Sequence, residues 1–305
     1  MYLFRIHIRP SGGTADAKTT FQYCLDNSLL GVGWRLNEYR HIVDWTEYEA
    51  SASQIHDDLN TCRYMKKWIS EGDLFWTRDT EGEYYLSRAL SGWEYWQSQD
   101  GIDLDVDIAN IFRCDIRKVE VDSVPGKVIA CFRPARTLQE IADPKSLEYS
   151  KNLWNQLVGE LIYEVDHQGI ADIFTMLDDE ETEDLVFLYL QSQSWLVVPN
   201  SRKVDTMSYE YLLVDAKTNE KAKVQVKTGH VPLNIDDYIN SKEKVFLFQA
   251  NEIYQGSAHE NVVCITRQVI VDFLMGSLSW LPGIFAKKLA LISTSLTSLP
   301  KSVTA

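Results

Sequence analysis

The sequence predicts two domains, α+β in the first half and α/β in the second, on three observations. Its 305 residues are enough for two cores of ordinary size. Up to about Arg136 the chain reads as a succession of strands with one or two helices between them. From Tyr149 onward helical and strand patterns alternate, the order that builds a mixed sheet covered by helices.

The first strand is carried by Tyr2, Phe4, Ile6 and Ile8, alternating with Leu3, Arg5, His7 and Arg9. A signal peptide would have a continuous apolar centre instead. PSGGTADAKTT is a loop rich in turn formers, and TFQYCLDNSLLGVGW after it ends in Gly31-Val32-Gly33-Trp34. Two glycines permit close backbone approach directly before a large aromatic. DDLNTCRYMKKWIS is helical, with Leu59, Tyr64 and Trp68 inward and a stop at Glu71-Gly72. GDLFWTRDTEGEYYLSRAL is a hairpin, Leu74 and Trp76 going out and Tyr84 and Leu86 returning. SGWEYWQSQ, ANIFRCDIRKVEV and GKVIACF add further strands, and a linker broken at Asp143-Pro144 follows.

In the second half YSKNLWNQLVGELIYEV has Leu153, Leu157, Leu161 and Ile162 at helical spacing, and DDEETEDLVFLYLQSQ is an acidic helix leading to the strand SWLVV. In SYEYLLVDAKTNEKAKVQVKTG two alternating strands flank a polar turn. Val224 and Val226 point to one face of the second strand, Gln225 and Lys227 to the other, with Glu210 able to approach from its neighbour. A carboxylate for a hard divalent cation, a neutral oxygen ligand and a lysine to offset charge suit phosphodiester hydrolysis. A solvated hairpin would carry the same residues. VPLNIDDYINS is a short helix capped by Asn234, KVFLFQA a strand, ENVVCITRQVIVDFLMG a strand passing into a helix, and IFAKKLALI a last helix. The polar tail from Ser293 is expected to be poorly ordered.

Hydrophobic residues make up 45% and charged residues 24%, a globular composition with no run long and apolar enough to cross a membrane. No membrane partner is expected, and the location expected is cytoplasmic. Cys24, Cys62, Cys114, Cys131 and Cys264 are odd in number and scattered, implying neither a disulfide framework nor a zinc site. The net charge of −14 argues against a nucleic-acid partner, because Lys and Arg supply most non-specific affinity. Part of it sits in one block, Asp178, Asp179, Glu180, Glu181, Glu183 and Asp184, and a basic face can coexist with a negative sum. Nine tryptophans are many, but Trp in strands is usually core, so packing competes with a ligand cage at Trp34, Trp45, Trp76, Trp93 and Trp96.

Helix, strand, acid-bearing strand and Q-x-K strand occur in the order of the PD-(D/E)xK nuclease core. Residues 149–292 resemble that superfamily, in particular its Mrr-like restriction endonuclease branch, where Gln often replaces the second acid. The resemblance implies a restriction-endonuclease-like mixed sheet flanked by helices. Glu183 would support the site from the first helix and Glu210 would be the first metal-binding acid, although the family more often has Asp there. Gln225 would take the place of the second acid and Lys227 would be the catalytic lysine. Glu210 and Gln225 would then hold Mg²⁺ or Mn²⁺. Asp205 and Asp215 rival Glu210 for the first acid.

Residues 1–136 resemble the PUA-like superfamily, in particular its EVE and YTH-type domains. The likeness rests on Gly31-Val32-Gly33-Trp34, Gly72-Asp73-Leu74-Phe75-Trp76-Thr77-Arg78, Tyr84-Tyr85-Leu86, Trp93 and Trp96. It implies a small β-barrel with helices that holds a modified base in an aromatic pocket, with Val124-Pro125-Gly126 leading into the closing strand. A flipped base would lie against Trp34, Trp76 and Trp93. Asn110 and Asp44 are candidates for reading its edge.

The two resemblances, joined by a linker over 137–148, imply a modification-dependent, type IV-like restriction endonuclease acting in anti-phage defence. Its partner would be double-stranded DNA carrying a modified base. A homodimer is expected, because cutting both strands calls for two active sites. Two other readings compete: an inactive sensor of nucleic acid, and an acidic protein-interaction component of a defence system.

Overall fold

The computed structural model describes residues 1–9, 11–37, 42, 44–133, 136–166, 172–203 and 209–298. The chain divides into two compact units, residues 1–124 with 128–166, and residues 125–127 with 167–305. Among the described residues no helix is long and apolar enough to cross a membrane.

The first half runs β1 (Leu3–Ile6), α1 (Ala17–Asp26), β2 (Leu29–Val32), α2 (Trp45–Ala52), α3 (Asn60–Trp68), β3 (Leu74–Arg78) and β4 (Tyr84–Ala89). It continues through β5 (Glu94–Tyr95), α4 (Gln99–Asp103), β6 (Asn110–Val119), α5 (Gly126–Cys131), β7 (Leu138–Glu140) and α6 (Pro144–Val158). The strands of the first unit make a seven-stranded sheet in the order β2-β6-β4-β3-β1-β7, with β5 also on β6. It curls into a half-barrel along β6, which holds β5 over Asn110–Ile111 and β4 over Cys114–Val119. Among the described strands of this sheet, only β1 and β3 pair in parallel. Phe4, Phe75 and Phe112 form a layer across β1, β3 and β6, with ring centroids 5.0 and 4.3 Å apart. The helices α1 and α3 bury Phe21, Cys24, Cys62 and Met65 against it. None of the five cysteines is in a disulfide.

Three sequence expectations change here. GKVIACF is the helix α5, not a strand, and Val124-Pro125-Gly126 leads into it rather than into a closing strand. The amides of Gly126 and Lys127, which have no partner within a helix, donate to the carboxylates of Glu181 and Asp178. The position beside β1 is taken by β7, antiparallel to it. Residues 137–148 are therefore not a linker: they hold β7 and the start of α6. Asp143-Pro144 begins a helix, with the Asp143 carboxylate accepting from the Ser146 amide at 2.8 Å and Pro144 in the first turn. Finally, α6 belongs to the first unit. Trp76 points away from the Phe75 layer, is wholly buried, and donates from Nε1 to Ser150 Oγ of α6 at 3.0 Å. The division falls near residue 166 rather than before Tyr149.

The second unit contains α7 (Ile173–Met176), α8 (Asp179–Ser192), β8 (Trp195–Val197), β9 (Tyr211–Asp215), β10 (Lys221–Lys227), β11 (Leu233–Asn234) and β12 (Lys244–Gln249). It ends with β13 (Tyr254–Gln255), β14 (Val262–Ile265), α9 (Arg267–Ser277) and α10 (Gly283–Ser298). Its five-stranded sheet has the order β14-β12-β10-β9-β8, antiparallel from β8 to β10 and parallel from β10 to β14. One face, with Tyr211, Val224, Val226 and Phe248, is covered by helices: Phe187 of α8 lies edge-on to Tyr211 and Phe174 of α7 meets Phe248. On the other face Val245 and Leu247 pack with Leu233 and Ile235, next to the two-stranded sheet of β11 and β13. Asn234 accepts from the Asp236 amide and caps the short turn of helix at Ile235–Asp237. The helix α10 runs on through Ser298, past the start of the expected tail, whose last residues, 299–305, lie outside the described ones.

Candidate active site and base-binding cavity

Period-two alternation along β10 brings Glu210, Gln225 and Lys227 together in the second unit. Gln225 Nε2 donates to Glu210 Oε1 at 2.6 Å, and Lys227 Nζ donates to the same oxygen at 3.1 Å. Gln225 is 1% exposed, and its Oε1 has no hydrogen-bond partner. The lysine and glutamate side chains remain 39% and 22% exposed, so this cluster is reachable from solvent. Tyr238 stands close enough for charge to act on it. Burial, followed by the charges of Asp237 and Glu210, raises its hydroxyl above the ordinary tyrosine range. Gln249, beside Lys227 in the β10–β12 register, is fully buried and ties the loop after β10 in place, donating from Nε2 to the Gly229 and Val231 carbonyls.

The other predicted members are elsewhere. Glu183 is half-buried on α8, the helix that packs on the Tyr211 face, the reverse of the face that Gln225 and Lys227 share. From α8 it is Asp179 that reaches the end of β10, where it accepts from Thr228 Oγ1. Asp215 sits at the far end of β9 and closes the hairpin turn. Hydrogen bonds from the Thr218 and Lys217 amides lower its pKa from the ordinary carboxylate value. Asp205 lies outside the described residues. Among the described residues no three His, Cys, Asp or Glu side chains cluster as a metal site. The oxygens at hand are the Glu210 carboxylate and the orphaned amide oxygen of Gln225. Such a hard-oxygen set fits Mg²⁺, which binds through one or two carboxylates and otherwise keeps waters and substrate phosphates.

In the first unit a cavity of about 320 Å³ opens beside Gly31-Val32-Gly33-Trp34. Trp34 lines it, is half-buried, and has a φ of 63°, a left-handed conformation uncommon outside glycine. Its carbonyl accepts from Tyr48 Oη at 2.9 Å, which holds the strained turn. Asp107, only 7% exposed, also lines the cavity, with Gly12 and Gly33 close to its carboxylate. A Cβ on Gly33 or Gly12 would come within 2.3 or 2.5 Å of Asp107 Oδ2, so glycine is required where backbone passes the carboxylate. The Gly12 amide donates to that oxygen at 3.2 Å. His7 also lines the cavity, is 3% exposed, and has no partner on either ring nitrogen. Burial, reinforced by Arg9, Arg5 and Arg78, pulls its pKa down to about 4, so the ring is neutral at pH 7. His56 completes this side, its Nε2 bonded to the Arg35 carbonyl at 2.8 Å.

Of the three tryptophans expected against a base, Trp34 alone lines this cavity. Trp76 is core, as described above. Trp93 is 8% exposed, set edge-on to Trp45, and spends its Nε1 on Asn110 Oδ1 at 2.8 Å. Asn110 is committed as well, donating to the Gly33 carbonyl at 2.7 Å and to Tyr48 Oη at 2.8 Å. It builds the turn behind Trp34, fully buried and with both amide hydrogens used. Asp44 caps α2 through the Thr46 amide. His7 and Asp107 escape sequence reading because one lies just after β1 and the other just before β6, and only the sheet topology joins them. Comparison with protein-family models, curated proteins and solved structures finds no match for this chain.

Proposed function

We propose that the chain is a modification-dependent endonuclease. Its first unit holds a base extruded from DNA against Trp34, and its second cleaves phosphodiester bonds at Glu210, Gln225 and Lys227. The observation that carries this reading is the convergence of Gln225 Nε2 and Lys227 Nζ on one carboxylate oxygen of Glu210. Bound Mg²⁺ would supply Lewis-acid polarisation of the phosphate and acidify a water. Glu210, with the orphaned Gln225 Oε1, is what would hold it. Lys227, partly exposed, meets the phosphate with a positive charge and offsets the negative charge that grows in the transition state. Glu210 keeps the ammonium aimed between turnovers. In the first unit, one aromatic wall, an exposed Arg9 at the cavity and a volume in the range of small-ligand sites suit a single nucleotide.

A reader that does not cut is favoured by one observation, that Glu210 is the one carboxylate in the cluster among the described residues. The two readings separate when the protein is incubated with plain and cytosine-modified DNA, in Mg²⁺ and in chelator. Metal-dependent cutting confined to the modified DNA supports the nuclease. Tight binding of modified DNA without cutting retires the nuclease and keeps the reader. Neither result leaves the acidic protein as an interaction component.

A further inference from the structure

The polar side of the cavity has a chemistry of its own. His7 offers, in its neutral form, one N–H donor and one acceptor nitrogen, both buried and both without a partner. Asp107 offers a buried carboxylate whose Oδ2 accepts from the Gly12 amide. Leaving a buried imidazole unsatisfied is costly, so a ligand that pairs with it and with the buried carboxylate beside it gains most from entering. Trp34, which also lines the cavity, favours a planar ligand.

We propose that Asp107 and His7 read the edge of the bound base and that the cavity takes an amino-bearing base in preference to thymine or uracil. This rests on the reading of the cavity as a base pocket. An exocyclic amino group donates to the Asp107 carboxylate, while the neighbouring ring nitrogen or carbonyl accepts from the imidazole N–H. Thymine and uracil place their one N–H between two carbonyl oxygens. Donating it to Asp107 would press carbonyl lone pairs against the carboxylate, a repulsive element that works against the wrong base. A substituent on C5 of cytosine leaves the paired edge untouched, so edge reading and modification are recognised separately.

The test uses the full chain in chelator, with fluorescein-labelled single-stranded thymine decamers carrying one central cytosine, adenine, guanine or thymine. Anisotropy titration should give amino-bearing decamers an advantage on the order of tenfold over all-thymine. Asp107→Asn, which replaces an acceptor by a donor, should shrink that advantage and strengthen thymine binding, a reversal that mere loosening of the fold would not produce. His7→Phe keeps a ring beside Phe132 and removes both nitrogens, and should also erase the preference. Near-UV circular dichroism establishes that each variant is folded. Equal binding of all four decamers, lost on Trp34→Ala, would overturn edge reading and leave the base pocket standing. Failure of every decamer to bind would overturn the pocket itself. A titration with dCMP against dTMP separates sources: selectivity at decamer-like affinity supports edge reading and makes a free nucleotide the ligand.

Discussion

Lys227 and Gln225 share one oxygen of Glu210, yet their loss should differ in kind. Lys227 is 39% exposed, and a partly exposed ion pair contributes only about 0–1 kcal/mol to stability. Lys227→Ala should therefore fold normally and bind modified DNA nearly as before. Its cleavage rate should fall by roughly 10²–10³, the cost of removing one group that stabilises transition-state charge. A gel assay in Mg²⁺ beside a binding titration measures both; undiminished cutting would remove Lys227 from the chemistry. His7 gives a stability prediction with a definite sign. Its pKa drops from 6.5 to about 4 on folding, so between those values the unfolded chain binds the extra proton. The contribution is whole above pH 6.5 and is lost as pH falls toward 4, amounting to about 3 kcal/mol at the acid end. The groups acting on the ring are Arg5 and Arg9 of its own segment, Arg78 of β3 and the Phe132 ring. Urea midpoints across that window should slope upward with pH in the native chain and lie flatter in His7→Phe. Matching slopes would mean that another group carries the acid sensitivity.

At the scale of elements, the burial of Trp76 decides where a stable fragment can end. The indole is 0% exposed and its N–H is satisfied by Ser150 of α6. A chain stopped at residue 136 would lose β7 from the sheet edge and uncover a large aromatic, at a cost of several kcal/mol. Residues 1–166 should fold with a cooperative thermal transition, whereas residues 1–136 should not; an equally cooperative shorter fragment would show that α6 is dispensable. Sequence alone reads some of these elements well. The hairpin of β3 and β4 is legible because alternation and a D-T-E-G turn agree, and the Glu210–Gln225–Lys227 cluster because a strand's period is two. The helix α5 is not, since Val and Ile favour a strand and the carboxylates that satisfy its first turn come from Asp178 and Glu181, some fifty residues later. The place of Glu183 is hidden for another reason: composition marks an acidic helix, but only packing decides which sheet face that helix covers.

For the molecule as a whole, a net charge of −14 must be squared with the polyanionic partner proposed for it. Thirty basic side chains face 44 acidic ones, and several of the basic ones are spent internally. Lys288 is buried on Glu181, Arg5 is buried under Phe132, and Arg113 and Arg117 pair with Glu94 and Asp115. Arg9, exposed at the cavity, and Lys227 at the Glu210 cluster are the cations placed where phosphate is expected. Each phosphate neutralised contributes about −0.9 to the slope of log affinity against log salt. Two contacts give a slope of about −2, against about −5 to −9 for a protein making roughly 6–10. Repulsion between the acidic surface and DNA is itself screened by salt, with a Debye length of about 10 Å at 0.1 M, and this flattens the dependence further. Titrations of modified DNA from 50 to 200 mM salt, in chelator, should therefore lose about tenfold in affinity at most, and specificity would come from the buried base rather than from the backbone. A slope near −6 would reveal an extended basic surface and transfer the main binding energy from the Trp34 cavity to phosphate contacts.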